Sequence, residues 1–87
     1  MHGNTERNMM NATDLVNGTM AKVKELCGSR QFVLKMEAMG IFPGAVILKK
    51  SNSIMRGPVV IAKGSTQLAI GHRSAKNILV EPLAVQT

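Results

Sequence analysis

Between Phe32 and Lys50 the hydrophobic period of the chain changes once, and the change is punctuated by glycine and proline. Phe32, Met36 and Met39 stand at i, i+4 and i+7, which places them on one face of a helix, while Lys35 and Glu37 point elsewhere. Ser29 offers a side-chain oxygen for the helix start near Arg30, although no Glu or Gln at the third helical position completes a capping box. Gly40 is the stop signal: the residue after a helix commonly needs positive φ, and the following Ile41 can fold back over the last turn. Pro43-Gly44 then predicts a type II turn, proline presetting φ at its second position and glycine accepting positive φ at its third. The chain leaves that turn as a strand, Ala45 to Lys49.

The same reasoning orders the rest. Thr19 to Leu26 reads as a first strand in which Lys22, Val23 and Lys24 alternate before Leu26 breaks the period of two, the mark of a bulge or of the strand's end. Ala45–Ser51 pairs with Pro58–Lys63 as a hairpin, and Pro58, which has no N–H to donate, fits the start of the second strand. Gly64-Ser65-Thr66 turns the chain into a strand at Gln67–Gly71; a short helical turn, His72–Lys76, leads to a last strand, Ile78–Glu81, closed by Pro82. Five short strands with one helix after the first predict a mainly β fold, a small and partly open barrel, since a sandwich usually needs about 100 residues. Met1 to Gly18 shows no sustained period and reads as a flexible tail (1–18) ahead of one domain (19–87), with Thr13–Val16 the part nearest to that domain.

Composition narrows the picture. Of 87 residues 45% are apolar, yet there are two Phe and no Trp or Tyr, so the core must be aliphatic with methionine filling its gaps. A lone Cys27 excludes an intramolecular disulfide, the polar N-terminus does not resemble a signal peptide, and no apolar run approaches the roughly 18–20 residues of a bilayer-spanning helix. A cytoplasmic protein is expected, with membrane contact only through a partner. The net charge is +6, and no acid occurs from Ala38 through Val80, where Lys49, Lys50, Arg56, Lys63, Arg73 and Lys76 all fall. Such a surface is either a solvated lysine face or a match for an acidic partner; nucleic acid is disfavoured because Tyr and Trp, the usual stacking residues, are missing. The five acids are scattered and no phosphate loop is present, so no enzyme is expected. His2, Cys27 and His72 lie in separate segments, which argues against structural zinc. No cofactor is required; His72 is the one residue left open as a ligand of weakly held or adventitious Fe2+ or Zn2+.

Four blocks carry a family resemblance. Met36-x-x-Met39-Gly40-Ile41-x-Pro43-Gly44-x-x-Ile47, then Gly57-Pro58-Val59-Val60-Ile61, then Leu68-Ala69-Ile70, then Ala75-x-x-Ile78-Leu79-Val80 resemble, at compatible spacing, the signature of the FeoA family, ferrous iron transport protein A. The resemblance implies an SH3-like barrel with the helix between its first and second strands. It also implies an adaptor role, docking on the cytosolic G-domain of a FeoB-type membrane transporter, which would carry out the nucleotide hydrolysis. Two departures stand out. Lys49 and Lys63 occupy inward-facing positions usually apolar in the family, and burying bare ammonium groups is prohibitive, so both are expected at the barrel rim or snorkelling to water. Gly71 stands where the family often has Arg. The expected partner surface is the hairpin tip, Ile54, Met55 and Arg56, with Lys49 and Lys63 as its basic rim. Alternatives are a stand-alone relative of the SH3-like C-terminal domain of DtxR-type metal-dependent repressors and a basic SH3-like RNA-binding module; a homo-oligomer is left open.

Overall fold

The computed structural model describes residues 9–52 and 57–83. The strands are β1 (Met10–Asn11), β2 (Met20–Leu26), β3 (Val46–Asn52), β4 (Val59–Lys63), β5 (Thr66–Ile70) and β6 (Ile78–Pro82). Helix α1 (Arg30–Ala38) lies between β2 and β3, and the single turn α2 (His72–Ala75) between β5 and β6. Every neighbouring pair is antiparallel, in the order β1-β6-β2-β3-β4-β5. The sheet curls in the SH3-like manner without closing, so β5 and β1 are its two edges among the described residues.

The helix and its exit follow from three residues. Ser29 Oγ accepts from the Phe32 N–H at 3.1 Å, as an N-cap should. At the other end the Gly40 N–H donates to the Glu37 carbonyl at 3.0 Å and the Ile41 N–H to the Met36 carbonyl at 2.9 Å, the two bonds of a Schellman stop, with Gly40 at φ +90°. Ile41 is thereby carried into the core, fully buried. Phe42–Ala45 is the type II turn: the Ala45 N–H donates to the Phe42 carbonyl at 2.9 Å and Gly44 has φ +98°.

Ala21 and Val23 of β2, Ile47 of β3, Val59 and Ile61 of β4, and Ile78 and Val80 of β6 point inward and are buried, with Met36 of α1 beneath them. Fully burying an aliphatic side chain of this size stabilises by about 1.5–3 kcal/mol, so this set is the chief driving force for the curl. The break at Leu26 has a cause. The β2–β6 register passes from Val23↔Val80 to Glu25↔Leu79, leaving Lys24 as an unpaired bulge, after which Leu26 rather than Glu25 faces Ile78. A second shift, between Lys49 and Ser51, leaves Lys50 unpaired in β3.

Two sequence expectations need correction here. The domain does not begin at Thr19: Met10–Asn11 pairs with Leu79–Val80 of β6, a 3₁₀ turn at Ala12–Asp14 follows, and Ala12 and Leu15 are buried in the core. Apolar side chains scattered among polar ones gave no period, but the burial of Ala12 and Leu15 accompanies a short edge strand. Residues 1–8 lie outside the described residues. Lys49, expected at the rim, is instead fully buried. Its ammonium is not bare: Nζ donates to the carbonyls of Ala12 at 2.8 Å, Leu15 at 2.8 Å and Thr13 at 3.3 Å. Desolvation pushes the pKa of this ammonium below the usual lysine value, and the Asp14 carboxylate works against that shift. The N-terminal segment and Lys49 therefore explain each other, since the segment supplies the acceptors that let a lysine occupy the core.

Candidate docking surface

Where the sheet fails to close, α1 and β5 face each other across a shallow cleft of about 110 Å³. Phe32, Met36 and Met39 form one wall, and Leu68, Ala69 and Ile70 the other, with Gly71 and Ser74 at its α2 end and Lys35 on its rim. The helical face read from the sequence thus divides its work: Met36 is core, Phe32 packs against the core from its edge, and Met39, the helix C-cap, is 40% exposed. Among the described residues no carboxylate lines the cleft.

Among the described residues β5 is an unguarded edge. It is five residues long, runs without a register shift against β4, and contains no charged residue and no proline. Gly64-Ser65 joins β4 to β5 with Lys63↔Thr66 as the closing pair, so hydrogen-bonded pairs recur at Ile61↔Leu68 and Val59↔Ile70. The backbone N–H and C=O of Gln67 and Ala69 accordingly turn to the open side. The sequence carried a sign of this in Thr66–Ile70, a strand with nothing in it to repel another strand, but strand order was needed to show that it is an edge.

Basic groups flank the cleft on both sides. Beyond Ser74 lies an open hollow of about 420 Å³ lined by Gly71, His72, Arg73, Ser74 and Lys76. Near Met39, Lys63 lies across the helix stop, with its Nζ 5.6 Å from the Phe42 ring centroid and its side chain against Gly40. That contact is a cation–π interaction worth about 0.5–1 kcal/mol at an exposed site. Lys63 is half-buried, as a rim position requires.

Of the expected partner surface, Lys63 alone is found where the sequence put it. Lys49 is removed by its burial, and Ile54, Met55 and Arg56 lie outside the described residues. His72 is half-buried at the start of α2, and among the described residues no three His, Cys, Asp or Glu side chains gather into a metal-holding group. Cys27 is half-buried with its Sγ 3.9 Å from Glu25 Oε2. Among the described residues no helix is long and apolar enough to cross a membrane.

Comparison with known proteins places this geometry. A family model, the FeoA domain, matches residues 10–82, which includes the β1 segment and stops at the end of β6. No curated protein matches the chain. Among solved structures, an iron uptake regulatory protein (FeoA) is similar at 27% identity over 86% of this chain and 97% of that one, with a TM-score of 0.76. Iron(II) transport protein A from Clostridium thermocellum is similar at 30% identity over 85% of this chain and 46% of that one, with a TM-score of 0.78. A manganese-dependent transcriptional repressor shares the fold at 17% identity over 86% of this chain and 42% of that one, with a TM-score of 0.78. The family match, with the Gly40 stop and the Gly44 turn formed as the signature requires, establishes that the chain belongs to the FeoA domain family.

Proposed function

We propose that this chain is a non-enzymatic, cytoplasmic adaptor of ferrous iron uptake that docks on the cytosolic G-domain of a FeoB-type GTPase-permease. The observation that carries the reading is the family match over residues 10–82. The similarity to an iron uptake regulatory protein, extending over 97% of that chain, supports it further. In this reading the chain contributes surface recognition and the permease the nucleotide chemistry, and any coupling requires that the adaptor bind one state of the permease better than another. Iron is cargo of the system, and no resident metal or cofactor is needed; a metal ion at His72 would be weakly held. The repressor-like and RNA-binding alternatives draw on fold and charge alone.

Calorimetric titration of the purified chain into the isolated G-domain of the permease tests the proposal. Saturable binding that weakens with salt is expected, because steering by a basic face is screened. Failure to bind at low as well as physiological salt removes the docking role. The Ile54→Ser and Met55→Ser double variant decides whether the hairpin connection takes part: lost binding with an intact thermal melt assigns it a contact, and retained binding withdraws it.

A further inference from the structure

We propose that the free edge of β5 receives an extended acidic segment of a partner protein, which adds to the sheet as a seventh strand and places an apolar side chain in the α1–β5 cleft. The inference deepens the docking role and rests on it, but three observations on this surface carry it independently. The edge is regular and lacks the charges, proline or bulge that commonly protect such strands. The outward N–H and C=O groups of Gln67 and Ala69 offer an incoming strand a short ladder, the interaction that supplies affinity in strand addition. The cleft lies on the inward side of that edge, so alternate residues of an added strand would face Phe32, Met39 and Leu68.

Charge selects the occupant. Lys35, Arg73 and Lys76 rim the cleft and the adjoining hollow, Lys63 lies at its Met39 end, and among the described residues no carboxylate lines either. A second copy pairing through its own β5 would bring Lys63, Arg73 and Lys76 against the same residues of the first, so self-pairing is opposed where an acidic strand is attracted.

The probe is a short synthetic peptide alternating Glu with Val around one central Leu, titrated into isotope-labelled full-length protein and followed by nuclear magnetic resonance. The expected result is a saturable shift of the Gln67 and Ala69 amides together with the methyl groups of Met39 and Leu68. A matched peptide with Lys in place of Glu should give none. Gln67→Pro removes an outward-facing N–H, a position where an edge strand tolerates proline, so it should abolish binding while the thermal melt is kept. Should that variant unfold, Ala69 N-methylation introduced by semisynthesis makes the same deletion with less strain. Shifts confined to lysine and arginine side chains, undiminished binding to an edge-blocked protein, or no binding by the acidic peptide would each overturn the proposal. So would sedimentation showing a dimer that Gln67→Pro converts to monomer, because the edge would then belong to a second copy. Titration of the same variant into the permease G-domain separates the two readings. Undiminished binding there refutes the β5 edge and leaves docking intact, whereas failure of the unaltered chain to bind refutes docking and leaves the peptide result to judge the edge.

Discussion

Replacing Lys49 by Met tests how a charged residue is tolerated in this core. Methionine nearly matches the aliphatic stem of lysine in volume, so the buried position opposite Ile61 stays filled and the change isolates the amine. Three acceptors lose their donor. Ala12 O keeps a long bond from the Leu15 N–H at 3.4 Å, while Thr13 O and Leu15 O have no other protein donor among the described residues. A buried acceptor left unsatisfied costs about 1–3 kcal/mol, which applies in full to Leu15 O, while Thr13 O is part-buried and adds less, so the two together cost less than about 6 kcal/mol. Two effects reduce this. The variant no longer carries the desolvation cost that pushes the ammonium's pKa down, and the segment 10–15 can open locally to hydrate its carbonyls at the expense of burying Leu15 and Ala12. A net loss of about 1–3 kcal/mol is expected, lowering Tm by roughly 5–20 °C for a domain this small. Thermal melts measure the net effect and native-state hydrogen exchange locates it: amides of the β1–β6 ladder should lose protection well before those of β3 and β4. A variant equal or superior to the unaltered protein in Tm, with β1 still protected, would refute the reasoning, because removal of the charge would then outweigh the loss of three hydrogen bonds.

Three further outcomes are expected. Gly40→Val should destabilise by more than ~1 kcal/mol; its Cβ would meet only the flexible Lys63 side chain, at 3.3 Å, so the cost comes from forcing a β-branched residue to φ +90°, and an unchanged unfolding midpoint would contradict that. Because burial lowers the Lys49 pKa, the folded state binds fewer protons than the unfolded chain between that lowered value and the ordinary 10.5. The stability contribution is therefore present above 10.5 and lost as pH falls through the lowered value, so the stability of the unaltered protein relative to Lys49→Met should rise through the alkaline range, and a flat or falling difference in denaturant melts would count against it. Treatment with a strong chelator should leave Tm within error, since among the described residues no ligand set links metal affinity to folding, and a fall restored by Zn2+ or Fe2+ would reinstate His72.

What could be read from the sequence was whatever a local rule decides. The cap at Ser29, the stop at Gly40 and the turn at Pro43-Gly44 each close through a bond between residues at most five positions apart, and all formed where the pattern put them, the Gly44 N–H reaching in addition across to the Val23 carbonyl. Lys49 was different. Its inward direction followed from its parity with Ile47, but its burial depends on carbonyls 34 to 37 residues distant, in a segment whose own fold depends on that lysine. Neither half signals the other. The candidate surface failed to appear for a related reason: among the described residues β5 has one neighbour, β4, which leaves the cleft open, and strand order is a property of the whole sheet. Leu26 was an intermediate case, its broken period visible in the sequence and its cause, the bulge at Lys24, visible only once β6 was paired.

The two bulges also determine where this chain can change length. Inside a strand, deleting one residue normally inverts every side chain beyond it, sending core residues to water. Lys24 and Lys50 are exempt, because each is the supernumerary residue between two rows that already face correctly. Without Lys24 the ladder would run Val23↔Val80, Glu25↔Leu79, Leu26↔Ile78 with no gap, losing only the 3.5 Å ion pair with Glu81, which at its exposure contributes little. Deleting Val23 instead would destroy the core, whereas the adjacent Lys49 and Lys50 are the same residue type, so loss of either leaves one lysine to pair with Ile61. Related chains one residue shorter in either strand can therefore be aligned by placing the gap on the bulge, and any other placement exchanges inside for outside.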